Sequence, residues 1–365
     1  MAFSILRERH WWIRPAQRLT NPGTFRIAYW GIRPVKGRSL RSLLDRADVK
    51  LQFAGHETFP CRYGWLKKSY DAIRRAGSIG DEETRRVFVP DVAISDFGVG
   101  KNMVASMRHW ALACGVIEVL SSTKGKLPGL APTALGDLLF GGGDPYLEKP
   151  ASLWAIHWRL ASTPGRASTW YFAFNEFNEA IFNRETLATR FMARIDDLRE
   201  SGRLNGSRIT RSTIDRDVEC LMRTYVPRSG GKAGAEDGLE CPLAELGLIA
   251  NLAGAGASQF RRGPKPTLPD EVFAMALIEF WQTHFETRGA LSVEAVTHEP
   301  GSPGRVFLLD EESVAERLER LADVTAGAIS WDESTGLRQV SMRSQLSTLA
   351  PLEPLRQLYS IRAAA

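Results

Sequence analysis

FAGHETFPCRYGWLKKSYDAI (residues 53–73) and FGVGKNMVASMRHWALACGVIE (97–118) decide the fold class. In the first, Tyr63, Leu66, Tyr70 and Ile73 recur at i, i+3, i+7 and i+10. That spacing predicts a helix over 62–76 with one apolar stripe, and Lys67, Lys68, Arg74 and Arg75 on its other faces. In the second, Met103, Met107, Trp110 and Cys114 share one face of a helix over 101–114, and Gly115 stands where a left-handed stop belongs. Lys101, Ala105, Arg108 and Leu112 make a neighbouring line, and Asn102, Ser106 and His109 a third. Residues 88–97, with Pro90 and the following Gly98, read as a short connection. Beyond Gly115 come a strand-like VIEVL, a polar turn SSTKGK carrying Lys124 and Lys126, and LPGLAPTALGDLLF, a return strand followed by a short helix from Thr133. Helix, helix and basic hairpin in that order is the winged-helix pattern, whose second helix enters the DNA major groove while the hairpin touches the backbone. The expected DNA contacts are Lys67, Lys68, Gly100, Lys101, Asn102, Ser106, Arg108, His109, Lys124 and Lys126. The competing reading of the same cations is a solvated helix face.

The rest of the chain fits a mainly α protein with small β-hairpins, in which winged-helix (helix-turn-helix) modules are joined by a helical middle region. Residues 1–50 form a basic extension without helical or strand period. Residues 51–148 are the N-terminal winged-helix unit and 149–225 the helical middle region. The middle region contains WYFAFNEFNEAIF, too apolar to face water, and His157 between two tryptophans as an aromatic core residue. Within it, STIDRDVECLMRTY (212–225) reads as a Ser-capped helix. A Gly-rich linker spans 226–240, and a mixed α/β, winged-helix-like unit spans 241–365. In that last unit FRRGPKP (260–266) reads as exposed and basic, and a helix after Asp310 precedes a hairpin, AISWDESTGLRQVSM. Glu outnumbers Arg along that helix, so it suits packing or subunit contact better than phosphate.

Composition bounds the function. With 44% hydrophobic and 24% charged residues the 365-residue chain is an ordinary globular protein. No run of eighteen apolar residues predicts a membrane span, and the arginine-bearing start lacks an apolar secretory core. Cys61, Cys114, Cys220 and Cys241 are far apart in sequence with no CxxC pair, against a zinc ribbon or disulfide scaffold and in keeping with a reducing cytoplasm, where the DNA-binding reading expects a nucleoid-associated protein. The net charge of +5 is uneven. Residues 1–50 hold 11 Lys+Arg against 3 Asp+Glu, and the other 315 residues hold 36 against 39. Any basic surface of the body is therefore a local patch.

The candidate chemistry is sparse. GVGKN at 98–102 lacks the earlier glycine of a nucleotide-binding P-loop and has Asn102 in place of Ser or Thr, so no nucleotide cofactor is expected. Its glycines can still bring helix N–H groups to a DNA phosphate. His56 and Glu57, beside Arg62, offer a general base or metal ligand and a phosphate clamp. The structural alternative has Glu57 paired with Arg62 or capping the helix, and His56 bonded to the backbone. Asp91 and Asp96 read as turn and cap residues, and the six histidines make no HxH or HxxxH pair.

The GHETF segment, the WLKK helix start and the GVGKNMV–S–R–W run, with LAELGLI and RRGPKPTLPDEVF further on, resemble the SspB-like family of bacterial proteins encoded beside DNA-sulfur modification genes. The resemblance covers about residues 50–355 and leaves the basic extension out. It implies a DNA-binding subunit of a phosphorothioation antiphage defence system that nicks duplex DNA, so that sulfur can enter the backbone. His56, Glu57 and Arg62 are then the residues expected nearest the phosphate, with Mg²⁺ or Mn²⁺ as the ion of a metal-dependent nickase. The implied partners are double-stranded DNA, a cysteine desulfurase, an ATPase and an ATP-pyrophosphatase-type subunit, with a sulfur-sensing restriction protein in the neighbourhood. No membrane is implied, and a homodimer is compatible. The alternative is a non-catalytic DNA-binding adaptor that recruits the machinery, which the missing nuclease motif favours. A transcription regulator is disfavoured by size and the lack of a ligand-sensing pattern.

Overall fold

The computed structural model describes residues 42–120, 127–204, 208–227, 241–254, 256–334 and 336–363. The extension up to residue 41, the turn holding Lys124 and Lys126, and most of the Gly-rich linker lie outside the described residues. The predicted stripe of Leu66, Tyr70 and Ile73 becomes the buried side of α1 (Trp65–Ile79), followed by α2 (Asp81–Arg86). Residues 88–97, expected as a connection, contain a helix instead, α3 (Pro90–Phe97). Pro90 opens it, because the first helical position has no N–H bond to lose, and Gly98 closes it at φ +65°. After one tight turn comes α4 (Lys101–Ala113), with Met107 and Trp110 in the core and Gly115 at φ +67° beyond its end.

Strands β1 (Ile117–Val119) and β2 (Leu130–Pro132) pair antiparallel, Ile117 opposite Pro132 and Val119 opposite Leu130. Thr133 then caps α5 (Ala134–Leu138). Its hydroxyl accepts from the Gly136 N–H at 3.0 Å and donates to the Gly115 carbonyl, tying the hairpin to the end of α4. Replacing a cap of this kind costs about 1 kcal/mol. Thr133→Ala is therefore expected to lower the urea unfolding free energy by about that much. An unchanged midpoint would show that the cap carries no stability.

The middle region is helical, and its WYFAFN stretch (170–175) is buried as expected. Helices α6 (Pro150–Ser162) and α7 (Ser168–Asn175) are apolar nearly all round and lie in the interior. Then come β3 (Ile181–Phe182), α8 (Arg184–Glu200) and α9 (Arg211–Tyr225), the last capped by Thr210 rather than by Ser212. His157 is an aromatic-core residue with no exposed surface.

Strands β4 (Ile249–Leu252) and β5 (Ala257–Phe260) join β3 in a sheet of order β3-β5-β4. The last segment runs α10 (Asp270–His284), β6 (Ala290–Ser292), α11 (Val293–His298), α12 (Pro303–Val306), α13 (Glu311–Glu319), α14 (Leu321–Val324), β7 (Ile329–Ser334), β8 (Leu337–Met342) and α15 (Glu353–Ala363). Its antiparallel sheet has the order β6-β8-β7. The molecule is thus mainly helical with small antiparallel sheets. One hydrophobic core runs from Leu43 to Tyr359, so packing already begins upstream of residue 51. Among the described residues no helix is long and apolar enough to cross a membrane.

One surface expectation is corrected. Arg261 and Arg262 of FRRGPKP are exposed, but Lys265 is buried. Its ammonium donates to the carbonyls of Arg261 at 2.9 Å, Gly263 at 2.8 Å and Leu308 at 3.0 Å. These three acceptors make the lysine a staple between two loops, and burial pushes its pKa down to about 8.

Candidate functional site

The two segments that opened the sequence reading meet along one side of α4. Lys101, Asn102 and Ala105 are exposed there, and Arg108 is half-buried. A cleft of about 310 Å³ follows this line. Val104, Leu112, Phe88 and Pro90 supply its apolar walls, and Gln52, Gly55 and Arg166, the last from the loop between α6 and α7, also line it. Burial lowers the pKa of Arg108, and burial together with the charge of Arg108 lowers that of Arg166. Both guanidiniums stay charged at any physiological pH. Among the described residues nothing that lines the cleft is acidic, so these residues make it an electropositive concavity in a body whose charge is otherwise close to balanced.

Ser106 and His109, expected to face a DNA groove with Asn102, turn inward instead. Ser106 has no exposed surface and His109 is 7% exposed. The line through Asn102, Ser106 and His109 winds around α4, so its second half lies under the loop that carries Gln52 and Gly55. The Gln52 amide nitrogen faces His109 Nδ1 at 3.3 Å. An amide nitrogen donates, so Nδ1 accepts and the ring proton sits on Nε2, which has no hydrogen-bond partner among the described residues. Burial, followed by the charges of His56, Arg166 and Arg108, pushes the His109 pKa down to about 3. The ring is therefore a neutral donor. Gly55 is required at this contact, because a Cβ there would lie 2.3 Å from His109 Nδ1.

The GHETF loop itself is a scaffold. His56 is 1% exposed. Its Nδ1 accepts from the Thr58 N–H at 3.0 Å, and its Nε2 donates to Asp217 Oδ1 at 2.9 Å. Asp217 on α9 also accepts from the Ala54 N–H at 2.9 Å and from the Thr169 hydroxyl of α7 at 2.7 Å. One buried carboxylate thus ties the loop, α7 and α9 together. The expected His56–Glu57–Arg62 constellation is not assembled. Both His56 nitrogens are engaged, Glu57 is exposed at φ +47°, and the Arg62 guanidinium lies over the Phe59 and Trp65 rings at 5.8 and 5.5 Å.

Of the other expected contacts, Lys67 pairs with Asp71 at 2.5 Å, and Lys68 and Gly100 are exposed. Lys124 and Lys126 fall outside the described residues. Asp91 and Asp96 are exposed in the first and last turns of α3. Among the described residues no three His, Cys, Asp or Glu side chains converge as metal ligands.

The sequence reading missed Gln52, Asp217, Thr169 and Arg166. Asp217 was visible in principle, because it stands on the apolar stripe of α9 made by Ile214, Val218 and Leu221, where an acid needs buried donors. Nothing in the sequence brings Arg166 to the cleft that Arg108 lines.

A family model described as protein of unknown function (DUF4007) matches residues 53–359. Among curated proteins none matches the chain. Two solved structures are similar. A crystal structure of SspB is 29% identical, with a TM-score of 0.73, covering 86% of this chain and 90% of the other. A magnesium ion-bound crystal structure of SspB is 29% identical, with a TM-score of 0.70, covering 88% of this chain and 96% of the other.

Proposed function

Because the chain belongs to the family described as protein of unknown function DUF4007, we propose that it serves as the SspB-like, DNA-binding subunit of a bacterial phosphorothioation defence system and nicks the strand that the sulfur machinery modifies. The observation that carries this reading is the near-full-length likeness to SspB. The electropositive side of α4 supports it: α3, a tight turn, α4 and the β1–β2 pair follow one another as in a winged helix, and Lys101 and Arg108 stand on the helix that such a module offers to DNA. The C-terminal order β6, helices, β7 and β8, with β8 central, suits a second winged-helix module whose Glu-rich α13 fits a protein partner. The partners in this reading are double-stranded DNA, a cysteine desulfurase, an ATPase and an ATP-pyrophosphatase-type subunit, at the nucleoid.

Mg²⁺ or Mn²⁺ is the proposed cofactor, since one SspB structure is magnesium ion-bound. The described residues do not offer a three-ligand cage, so no side chain is assigned to an ion and no cleavage step is routed through one. The engagement of both His56 nitrogens favours a second reading, the non-catalytic adaptor that binds duplex and recruits the machinery.

A plasmid relaxation assay separates the two. Conversion of supercoiled plasmid to open circle in Mg²⁺ or Mn²⁺, abolished by chelation, is the expected result. Full supercoiling retained while the protein binds the plasmid would leave the adaptor. Neither binding nor nicking would remove the DNA role.

A further inference from the structure

We propose that the cleft beside α4 holds one nucleobase, taken out of the stack of the bound DNA. This rests on the DNA reading above and adds what the concavity itself accepts. A contact with the phosphate backbone uses Lys101 and Arg108 and needs no cavity. The cleft that these two residues line nevertheless measures about 310 Å³, a volume typical of small-ligand sites. Its apolar lining, Phe88, Pro90, Val104 and Leu112, gives a phosphate nothing to bond. Phe88 is only half-buried although its ring stacks on that of Phe97 at 5.6 Å, so aromatic surface is left for the cleft. A base offers flat faces to such a lining and polar edges to a carboxamide, and Gln52 supplies a carboxamide there.

The second observation is Ala105. It is exposed and lines the cleft between Lys101 and Arg108, which stand four positions before it and three after it along α4. A methyl group between two long cationic side chains leaves a gap with positive charge on both sides. Charge then selects the occupant. Among the described residues nothing that lines the cleft is acidic, so a flat apolar group tethered to phosphates is favoured over the apolar side chain of a protein partner, whose backbone is uncharged. Taking a base out of the stack is costly, and the cost is least for a mispaired base. An apolar and aromatic lining offsets that cost, as stacking side chains do at single-strand sites.

The test uses the full chain and two short duplexes of one sequence. Each carries 2-aminopurine, whose fluorescence stacking quenches, opposite thymine in one and opposite cytosine, a mismatch, in the other. The mismatched duplex is expected to bind about tenfold tighter, with a severalfold rise in fluorescence. Ala105→Trp fills the cleft from an exposed position and should remove both the rise and the preference. Ala105→Leu, a smaller plug for the case in which tryptophan blocks all binding, should lower the preference about threefold. Ser78→Trp, exposed near the end of α1, is the control and should change neither. Thermal midpoints establish that the variants fold.

A rise and a preference that the Ala105 variants lose and Ser78→Trp keeps assign the cleft to an unstacked base. Both duplexes bound with equal affinity and no rise overturns the base pocket and leaves the DNA reading standing. A rise and a preference unchanged in the Ala105 variants also overturn it, since the base is then held elsewhere. Binding of neither duplex removes the DNA reading and the base pocket with it.

Discussion

Asp217→Ala is expected to destabilise the protein by about 3–5 kcal/mol, the cost of stripping the acceptor from a buried polar network. The side chain is 2% exposed and serves three donors: the Ala54 N–H, the His56 ring and the Thr169 hydroxyl. Alanine leaves all three in the interior with nothing to accept them, and water cannot reach them without opening the loop. Urea unfolding followed by circular dichroism measures the loss. Thr169→Val removes one donor together with its need, so the double variant should lose less than the sum of the two single losses, by about 0.5–3 kcal/mol for groups in direct contact. Because the same carboxylate holds the loop that presents Gln52 and Gly55 to His109 on α4, Asp217→Ala should also weaken DNA binding in whatever fraction stays folded. A loss within about 0.5 kcal/mol, the level of an ordinary surface substitution, would mean that the network does not hold the loop.

Protonation of His109 and His157 should by itself lower stability in mild acid by about 4 kcal/mol between pH ~7.5 and ~5. His109 and His157 are buried and neutral in the folded state. Burial pushes the His109 pKa down to about 3 and the His157 pKa down to about 4. His157 is built for the neutral ring, because Nδ1 accepts from the Tyr225 hydroxyl at 2.7 Å and Nε2 donates to the Val306 carbonyl at 2.8 Å. In the unfolded chain both rings take up a proton near pH 6.5. Below that value the unfolded state binds more protons than the folded one, so stability is complete above pH ~6.5 and is lost as the pH falls toward the folded pKa values. Each ring contributes a slope of about 1.4 kcal/mol per pH unit inside the window. Urea midpoints at several pH values across this range measure it. Burial lowers the His284 pKa to about 4 as well, so His157→Gln should reduce the slope by about a third. A midpoint that does not move between pH 7.5 and 5 would contradict neutral burial of the two rings.

The helices were readable wherever one periodic face decided them. Leu66, Tyr70 and Ile73 of α1, and Met107 and Trp110 of α4, lie buried where their spacing put them. Helix α3 lies within the expected connection, and its signal is Pro90, since a proline at the first helical position is a start signal. Both halves of the candidate site were visible as separate segments, but their contact was not. The closeness of Gly55 to His109 depends on tertiary packing, and so does the arrival of Arg166 from a loop more than fifty residues further on. The same limit misplaced Ser106 and His109. A helical wheel gives their angle around the axis but not which neighbour covers that angle, and here the neighbours are the 52–55 segment and the aromatic packing around Trp110 and Trp170. His56 and Glu57 looked reactive because their types are. The tertiary structure commits the histidine to Asp217 and turns the glutamate to solvent.

The salt dependence of duplex binding tests the central claim, that the cationic side of α4 meets the DNA backbone, most directly. The slope of log Kd against log [NaCl] is measured for the unaltered chain and for the Lys101→Ala/Arg108→Ala pair. Each lost phosphate contact should reduce the slope by about one unit, so a drop of about two with a weaker Kd is the predicted result. Equal slopes and equal affinities in the two proteins would contradict it, and would place any DNA contact elsewhere on the molecule.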